Sequence, residues 1–363
     1  MAHALQHVAW EPCLIAPRSD RALEAYARRK LGVPQPSIRY FVDCPWLARA
    51  LVDLHPEFGL LVHLDLHLAD LISLVVSQEN SCRFCYAAVR AMLRIQGMSE
   101  ARIQRIEADL TRADLGSRPA AAMLFARTQS RSGPAAGAAA KQALRAAGVG
   151  AEELKEIAFV VASVDFMNRA FTIPAVPSHP MERIPDRFHV RLLRPLINRI
   201  LNSHRFRGRA TPPERAPSYP YSGLVRAFAG SPIASALGRT LEEMWASSLL
   251  TRRCKLLMFA VVARGLGCEV CVSEAGQALH KNGLKEAAFT QVLTHLDAPE
   301  LDPVERLLVP FARETIWYEP APLQRRARAL RERLTGPQFI EAIGVASLAN
   351  GLCRMGAVVA DHA

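Results

Sequence analysis

The sequence predicts an all-α protein built as two tandem helical units joined by a Pro/Arg-rich linker. Three observations predict it. Apolar residues recur at i, i+3 and i+4 along most of the chain, and no convincing stretch alternates with the period of a strand. Alanine and leucine dominate while β-branched residues are not enriched, which favours helix. A shift of 186 residues lays the chain on itself. Cys82 and Cys85 fall on Cys268 and Cys271, Gly97 on Gly283, Glu100 on Glu286, and Phe125-Ala126-Arg127 on Phe311-Ala312-Arg313. With one residue of slip, Glu156 meets Glu341 and Arg169 meets Arg354.

The elements follow in order. Arg21 to Leu31 reads as a helix closed by Gly32 and Pro34. Trp46, Leu47, Leu51, Val52 and Leu54 mark a helix face within Arg39 to Glu57. Leu60 to Val76 reads as one long helix, with His63, His67 and Asp70 on or near one side, broken by Gln78-Glu79-Asn80-Ser81. Cys82 to Ile95 is the next helix, ended by Gly97. Ser99 caps a helix to Asp109. Pro119 to Arg127, Ala139 to Ala147 and Glu152 to Ala170 follow, and Pro174, Pro177 and Pro180 end the unit. Pro180 to Pro232 holds two short apolar pieces, Leu192 to Leu201 and Leu224 to Phe228. Helices then resume at Ala234 to Ser247, Leu249 to Arg264, Cys268 to Leu279, Glu286 to His295, Pro303 to Glu314, Pro322 to Leu334 and Pro337 to Ala360. The division expected is 1–45 as an N-terminal helical extension, 46–178 as the first unit, 179–233 as the linker and 234–363 as the second unit.

With 363 residues, 50% apolar and 22% charged, the chain has ample material for such a core. The net charge of +11 comes from arginine, since lysine occurs only at 30, 141, 155, 255, 281 and 285. No basic helix with interleaved aromatics accompanies it, so no nucleic-acid partner is expected. The N-terminus lacks a positive cap followed by an apolar stretch, and the longest apolar runs, Leu256 to Ala263 and Ile157 to Val164, fall short of the ~20 residues that span a bilayer. No membrane partner and a cytoplasmic location are therefore expected.

In a reducing compartment eight cysteines are not expected to form a disulfide framework. Four fall in two Cys-x-x-Cys pairs, and Cys13, Cys44, Cys254 and Cys353 read as buried small hydrophobes. A pair three residues apart at a helix start is a redox couple or half a metal site. There the positive end of the helix dipole favours thiolate. Ser81 and Gly267 precede the pairs as caps, Arg83 adds to the effect in the first, and Glu269 opposes it in the second. A single zinc bound by all four sulfurs would need the two distant repeats to meet face to face, so no metal and no cofactor is expected. A thiolate that attacks a peroxide becomes a sulfenic acid, which the partner thiol closes to a disulfide.

An apolar helix, then Ser77-x-x-Asn80-x-Cys82-x-x-Cys85, then an alanine-rich helix resembles the alkylhydroperoxidase D / carboxymuconolactone decarboxylase-like proteins. Phe166-Met167-Asn168-Arg169 is similar to the Phe-x-Asn-Arg segment of peroxidase-related members. The resemblance covers about 60–175 well and about 245–360 less tightly. It implies an all-α fold, a tendency to oligomerise and a thiol-based peroxide reductase. Its site joins the pair to a glutamate twelve residues before the first Cys and a histidine four after the second, with the second Cys meeting the peroxide. Here those positions hold Asp70 and Val89, and Leu256 and Ala275 in the second copy. His67, one turn before Asp70, is a substitute for the missing relay, unless it and His63 merely sit on a helix face. Asn168 and Arg169 either line the site or make inter-helix hydrogen bonds.

The expectation is therefore a hydroperoxide reductase or dithiol–disulfide oxidoreductase. Cys85 attacks, Cys82 resolves, Asp70 is the proton partner, and Cys268 and Cys271 form a second pair. The substrate is a hydroperoxide or disulfide, and a dithiol protein is the reductant. The alternatives are a non-catalytic helical scaffold and a decarboxylase-type lyase in which Arg169 binds a carboxylate.

Overall fold

The computed structural model describes residues 5–110, 113–131, 134–185, 190, 193, 196, 199 and 219–359. Among these residues there are α-helices and short 3-10 turns and no strand. The helices are α1 (Arg21–Leu31), α2 (Pro45–Asp53), α3 (Leu66–Glu79), α4 (Arg83–Ile95), α5 (Glu100–Ala108), α6 (Ser117–Arg131), α7 (Pro134–Ala146) and α8 (Ala151–Thr172). They continue as α9 (Ser222–Arg226), α10 (Pro232–Ala246), α11 (Arg252–Leu266), α12 (Glu269–Lys281), α13 (Glu286–His295), α14 (Pro303–Glu314), α15 (Pro320–Arg331) and α16 (Gly336–Val359). The expected piece at Leu192 to Leu201 and most of the 179–233 linker lie outside the described residues.

Local chemistry sets most of the boundaries. The Asp20 carboxylate accepts the Ala22 and Leu23 N–H groups at the start of α1, and Gly32 closes it at φ 71°. Asp302 and Glu305 form a reciprocal capping box at α14. One expected helix is shorter than its periodicity suggests. Leu60 to Leu64 is not helical, and α3 begins at Leu66 with Asp65 as its cap. The cause is a carboxylate ninety residues away in the chain. Glu156 on α8 takes the N–H groups of Val62, His63 and Leu64 at 2.7–2.9 Å, so these donors are satisfied without a helix. Glu341 on α16 plays a similar part in the other half, taking the N–H of Leu250 and the indole N–H of Trp46.

The starts of α3 to α7 and of α11 to α15 stand 186 residues apart pair by pair: Leu66 and Arg252, Arg83 and Glu269, Glu100 and Glu286, Ser117 and Pro303, Pro134 and Pro320. Helices α8 and α16 pack against each other at the centre. At their crossing, a Cβ on Gly351 would stand 2.5 Å from the Ala162 carbonyl oxygen, so only glycine fits there. Helix α16 is long and apolar enough to cross a membrane by composition, but 94% of that window is buried in the protein interior, as in a central core helix.

The two halves exchange contacts reciprocally. Arg169 of α8 donates to the carbonyls of Thr315 and Ile316 at the end of α14, at 2.8 and 2.9 Å. Arg354 of α16 donates to the carbonyl of Ser130 near the end of α6, at 3.3 Å, and to Ile316 at 3.2 Å. Each guanidinium thus meets the negative end of a helix from the other half. Asp165 lies between them, 3.0 Å from Arg169 Nη1 and 3.4 Å from Arg354 Nε. All three side chains are buried, and burial brings the Arg354 guanidinium down to about 10.

Candidate active site

The first thiol pair sits where α3 turns into α4. The chain leaves α3 through Asn80 and passes Ser81 at φ 49°, a left-handed conformation unusual outside glycine. Asn80 fixes this turn by donating to the Val76 carbonyl at 3.0 Å and to Asp165 Oδ1 at 2.6 Å. Tyr318, from the other half, donates its hydroxyl to the Asn80 carbonyl at 3.0 Å. The cap of α4 is Cys82 itself, not Ser81: its sulfur accepts the Cys85 N–H at 3.4 Å. Arg83 does not turn to the thiols. Its guanidinium donates to the carbonyls of Val176 and Ala175 and lies over the Trp10 ring.

Both sulfurs are free thiols and both residues are buried. Their acidities diverge. Burial opposes ionisation of Cys82, but hydrogen bonds from the Cys85 thiol and from the N–H groups of Cys85 and Phe84 outweigh it, and the thiol falls below its ordinary value. Burial pushes the Cys85 thiol well up, and its hydrogen bond and proximity to Cys82 push further. The pair therefore holds its first negative charge on Cys82, with the remaining proton on Cys85.

Only Cys85 lines the cavity beside it. This cavity has a volume of about 450 Å³. Apolar side chains make most of its wall, among them Leu51, Phe58, Phe84, Met92, Met167 and Phe171. Its polar lining comes from His55, Glu57, Ser73, Ser77, His179 and Gln35, and among the described residues no lysine or arginine takes part. Val89 also lines it, so the position that the resemblance gives to a histidine does face the cavity, carrying a side chain that cannot move a proton.

Asp70 is not among the lining residues. It is wholly buried, and its Oδ2 accepts from the Gln96 amide, whose Oε1 is 3.0 Å from His67 Nδ1. His67 is exposed on the first turn of α3, and His63 is exposed before the helix begins. One turn beyond Asp70, Ser73 and then Ser77 reach the cavity instead. Asn168 holds Ser77, accepting its hydroxyl at 3.2 Å and donating to the Val76 carbonyl at 3.2 Å. Asn168 and Arg169 thus make inter-helix bonds. Arg169 is fully occupied in them and does not line the cavity.

Histidine 179 had no signal in the sequence. It stands between Ser178 and Pro180, where helical periodicity ends. The structure turns residues 179–184 back over α4, and His179, Pro180, Met181 and Ile184 become cavity wall. The imidazole meets the Phe84 ring edge-on at 4.8 Å, and its Nδ1 accepts the Met181 N–H at 3.1 Å. Burial, with the nearby His55, lowers its pKa to about 4.

The second pair has different surroundings. Cys268 caps α12 and is disulfide-bonded to Cys271. Neither sulfur lines the cavity of the first pair. Phe259 stands where the first half has Ser73, and it stacks on Tyr221 at 4.7 Å between ring centres. Tyr221 donates to the Cys271 carbonyl at 3.2 Å. Gly356 of α16 closes on the sulfurs: a Cβ there would be 3.0 Å from Cys271 Sγ. Glu269 points outward to Arg264. Aromatic rings and a close helix contact thus surround the second pair. Among the described residues no group of three or more His, Cys, Asp or Glu is arranged to hold a metal ion.

Residues 50–128 match the carboxymuconolactone decarboxylase family model. The matched segment runs from α2 into α6 and contains the Cys82–Cys85 pair and the α3 and α4 walls of the cavity. No match was found among curated proteins or among solved structures.

Proposed function

We propose that the protein is a thiol-dependent reductase of apolar hydroperoxides, working through Cys85 and Cys82. The observation that carries this reading is the free Cys85 thiol in the wall of an apolar cavity, hydrogen-bonded to a neighbour of lowered pKa. When Cys85 sulfur attacks the terminal peroxide oxygen, its proton passes to Cys82, an S–O bond forms and the O–O bond breaks. Cys85 becomes a sulfenic acid and the peroxide leaves as alkoxide, which takes up a proton to become the alcohol. Cys82 sulfur then attacks Cys85 sulfur, hydroxide leaves, and the disulfide forms. Two thiols have lost two electrons and the peroxide has gained them. A dithiol protein would restore the pair by exchange.

Cys82 takes the base's part expected of Asp70, because Asp70 is tied to Gln96 away from the cavity. A lyase acting on an anionic lactone acid fits less well, since among the described residues no lysine or arginine lines the cavity and Arg169 is committed to Asp165 and two carbonyls. The second pair is, on this reading, structural. The helix starts 186 residues apart and the exchanged Arg169 and Arg354 contacts support a tandem duplication whose halves imitate a dimer.

Stopped-flow mixing of reduced protein with cumene hydroperoxide tests the proposal. The wild type should lose two thiols per peroxide consumed, and Cys85→Ser should lose none at that rate. A wild type that consumes no peroxide, as the scaffold alternative requires, or a Cys85→Ser variant that matches it, would sink the reading.

A further inference from the structure

The site so far has an attacking sulfur and a base, and nothing yet to meet the oxygen that leaves. Two polar groups in the cavity wall are placed to do so. Ser73 Oγ is buried, lines the cavity and has no hydrogen-bond partner among the described residues, so the wall holds a hydroxyl that a bound oxygen would satisfy. His179 is the other. Its Nδ1 lone pair is taken by the Met181 N–H, which puts the ring proton of the neutral imidazole on Nε2. The edge-on contact with Phe84 fixes the ring in the wall of the cavity that Cys85 also lines.

We propose that His179 is a further catalytic residue, whose Nε2–H hydrogen-bonds the peroxide oxygen that leaves when Cys85 is oxidised. The role rests on the peroxide-reducing reading of the site. It replaces the histidine that position 89 lacks with one from the segment after α8. The contribution is that of a fixed donor aimed at developing negative charge. The proton that Cys85 gives up passes to Cys82 and ends on the alkoxide, while His179 keeps its own. The low pKa of the ring suits this part, since the imidazole stays a neutral donor down to about pH 4. The titratable groups sharing its cavity are His55, Glu57 and Cys85.

His179→Phe removes the donor and keeps an aromatic ring against Phe84, and His179→Gln keeps an N–H donor. Two rates are measured on each: thiol loss with cumene hydroperoxide, and alkylation of Cys85 by iodoacetamide, whose leaving group is iodide. His179→Phe should slow the peroxide reaction by about 100-fold, with alkylation close to wild type. His179→Gln should recover much of the loss. Peroxide reduction by His179→Phe at the wild-type rate overturns the proposal. So does a parallel fall of both rates, which would make His179 a support for the cavity wall. A wild type whose Cys85 alkylates but never reduces peroxide brings down the peroxide reading itself, and this role with it.

Discussion

Acidification should unfold this protein partly through His179. In the folded state the ring is buried against Phe84 beside His55, and its pKa is lowered to about 4 from 6.5. Between those values the unfolded chain binds a proton there that the native protein does not. Stability from this group is therefore intact above about pH 6.5, falls as the pH drops towards 4, and levels off below it. The difference of some 2.5 pK units corresponds to about 3 kcal/mol at 1.36 kcal/mol per unit. Carboxylates and other histidines titrate in the same range, so the variant His179→Gln supplies the reference. Urea unfolding of both proteins across about pH 4 to 7 isolates the effect as the change in their stability difference. The wild type should lose about 3 kcal/mol more than the variant across that window. If the difference stays constant with pH, the imidazole is not held neutral in the cavity wall and the donor argument loses its basis.

Three more outcomes are expected. Asp165→Asn leaves Arg169 and Arg354 buried without their carboxylate, and should cost about 3–5 kcal/mol in urea unfolding. Ala88→Trp fills the cavity beside Cys85, and should slow cumene hydroperoxide at least about tenfold more than hydrogen peroxide in a competition assay. Replacing both Cys268 and Cys271 by serine should leave the peroxide rate of the first pair unchanged in stopped flow, since neither sulfur reaches its cavity.

The helical architecture could be read from the sequence because its signals are local. Helices α13 and α14 fall at the expected residues, Glu286–His295 and Pro303–Glu314; Gly283, just past the end of α12, and Asp302 and Glu305, at the start of α14, act within a few residues of the boundaries they mark. The start of α3 could not be read so, because Glu156 decides it from across the fold. The same contrast divides the site. The two thiols at a helix start were visible as a spacing. His55, Glu57, Ser73 and His179 come from four separate segments, and only folding gathers them around Cys85. Asp70 shows the reverse case: its position in the motif suggested a proton partner, and the fold sets it against the Gln96 amide, outside the cavity lining. Residues 179–184 read as the start of a linker because prolines break their periodicity, yet they close the cavity.

The central claim is that Cys85 meets the oxidant and Cys82 resolves it. Treating reduced Cys82→Ser with one equivalent of cumene hydroperoxide in the presence of dimedone, then mapping peptides by mass spectrometry, tests it most directly. A dimedone adduct on Cys85 is expected in that variant, formed more slowly than the wild-type disulfide because the base is gone, with a Cys82–Cys85 disulfide in the wild type and neither in Cys85→Ser. An adduct on Cys82 in Cys85→Ser at the same rate, or unmodified thiols in every protein, would contradict it.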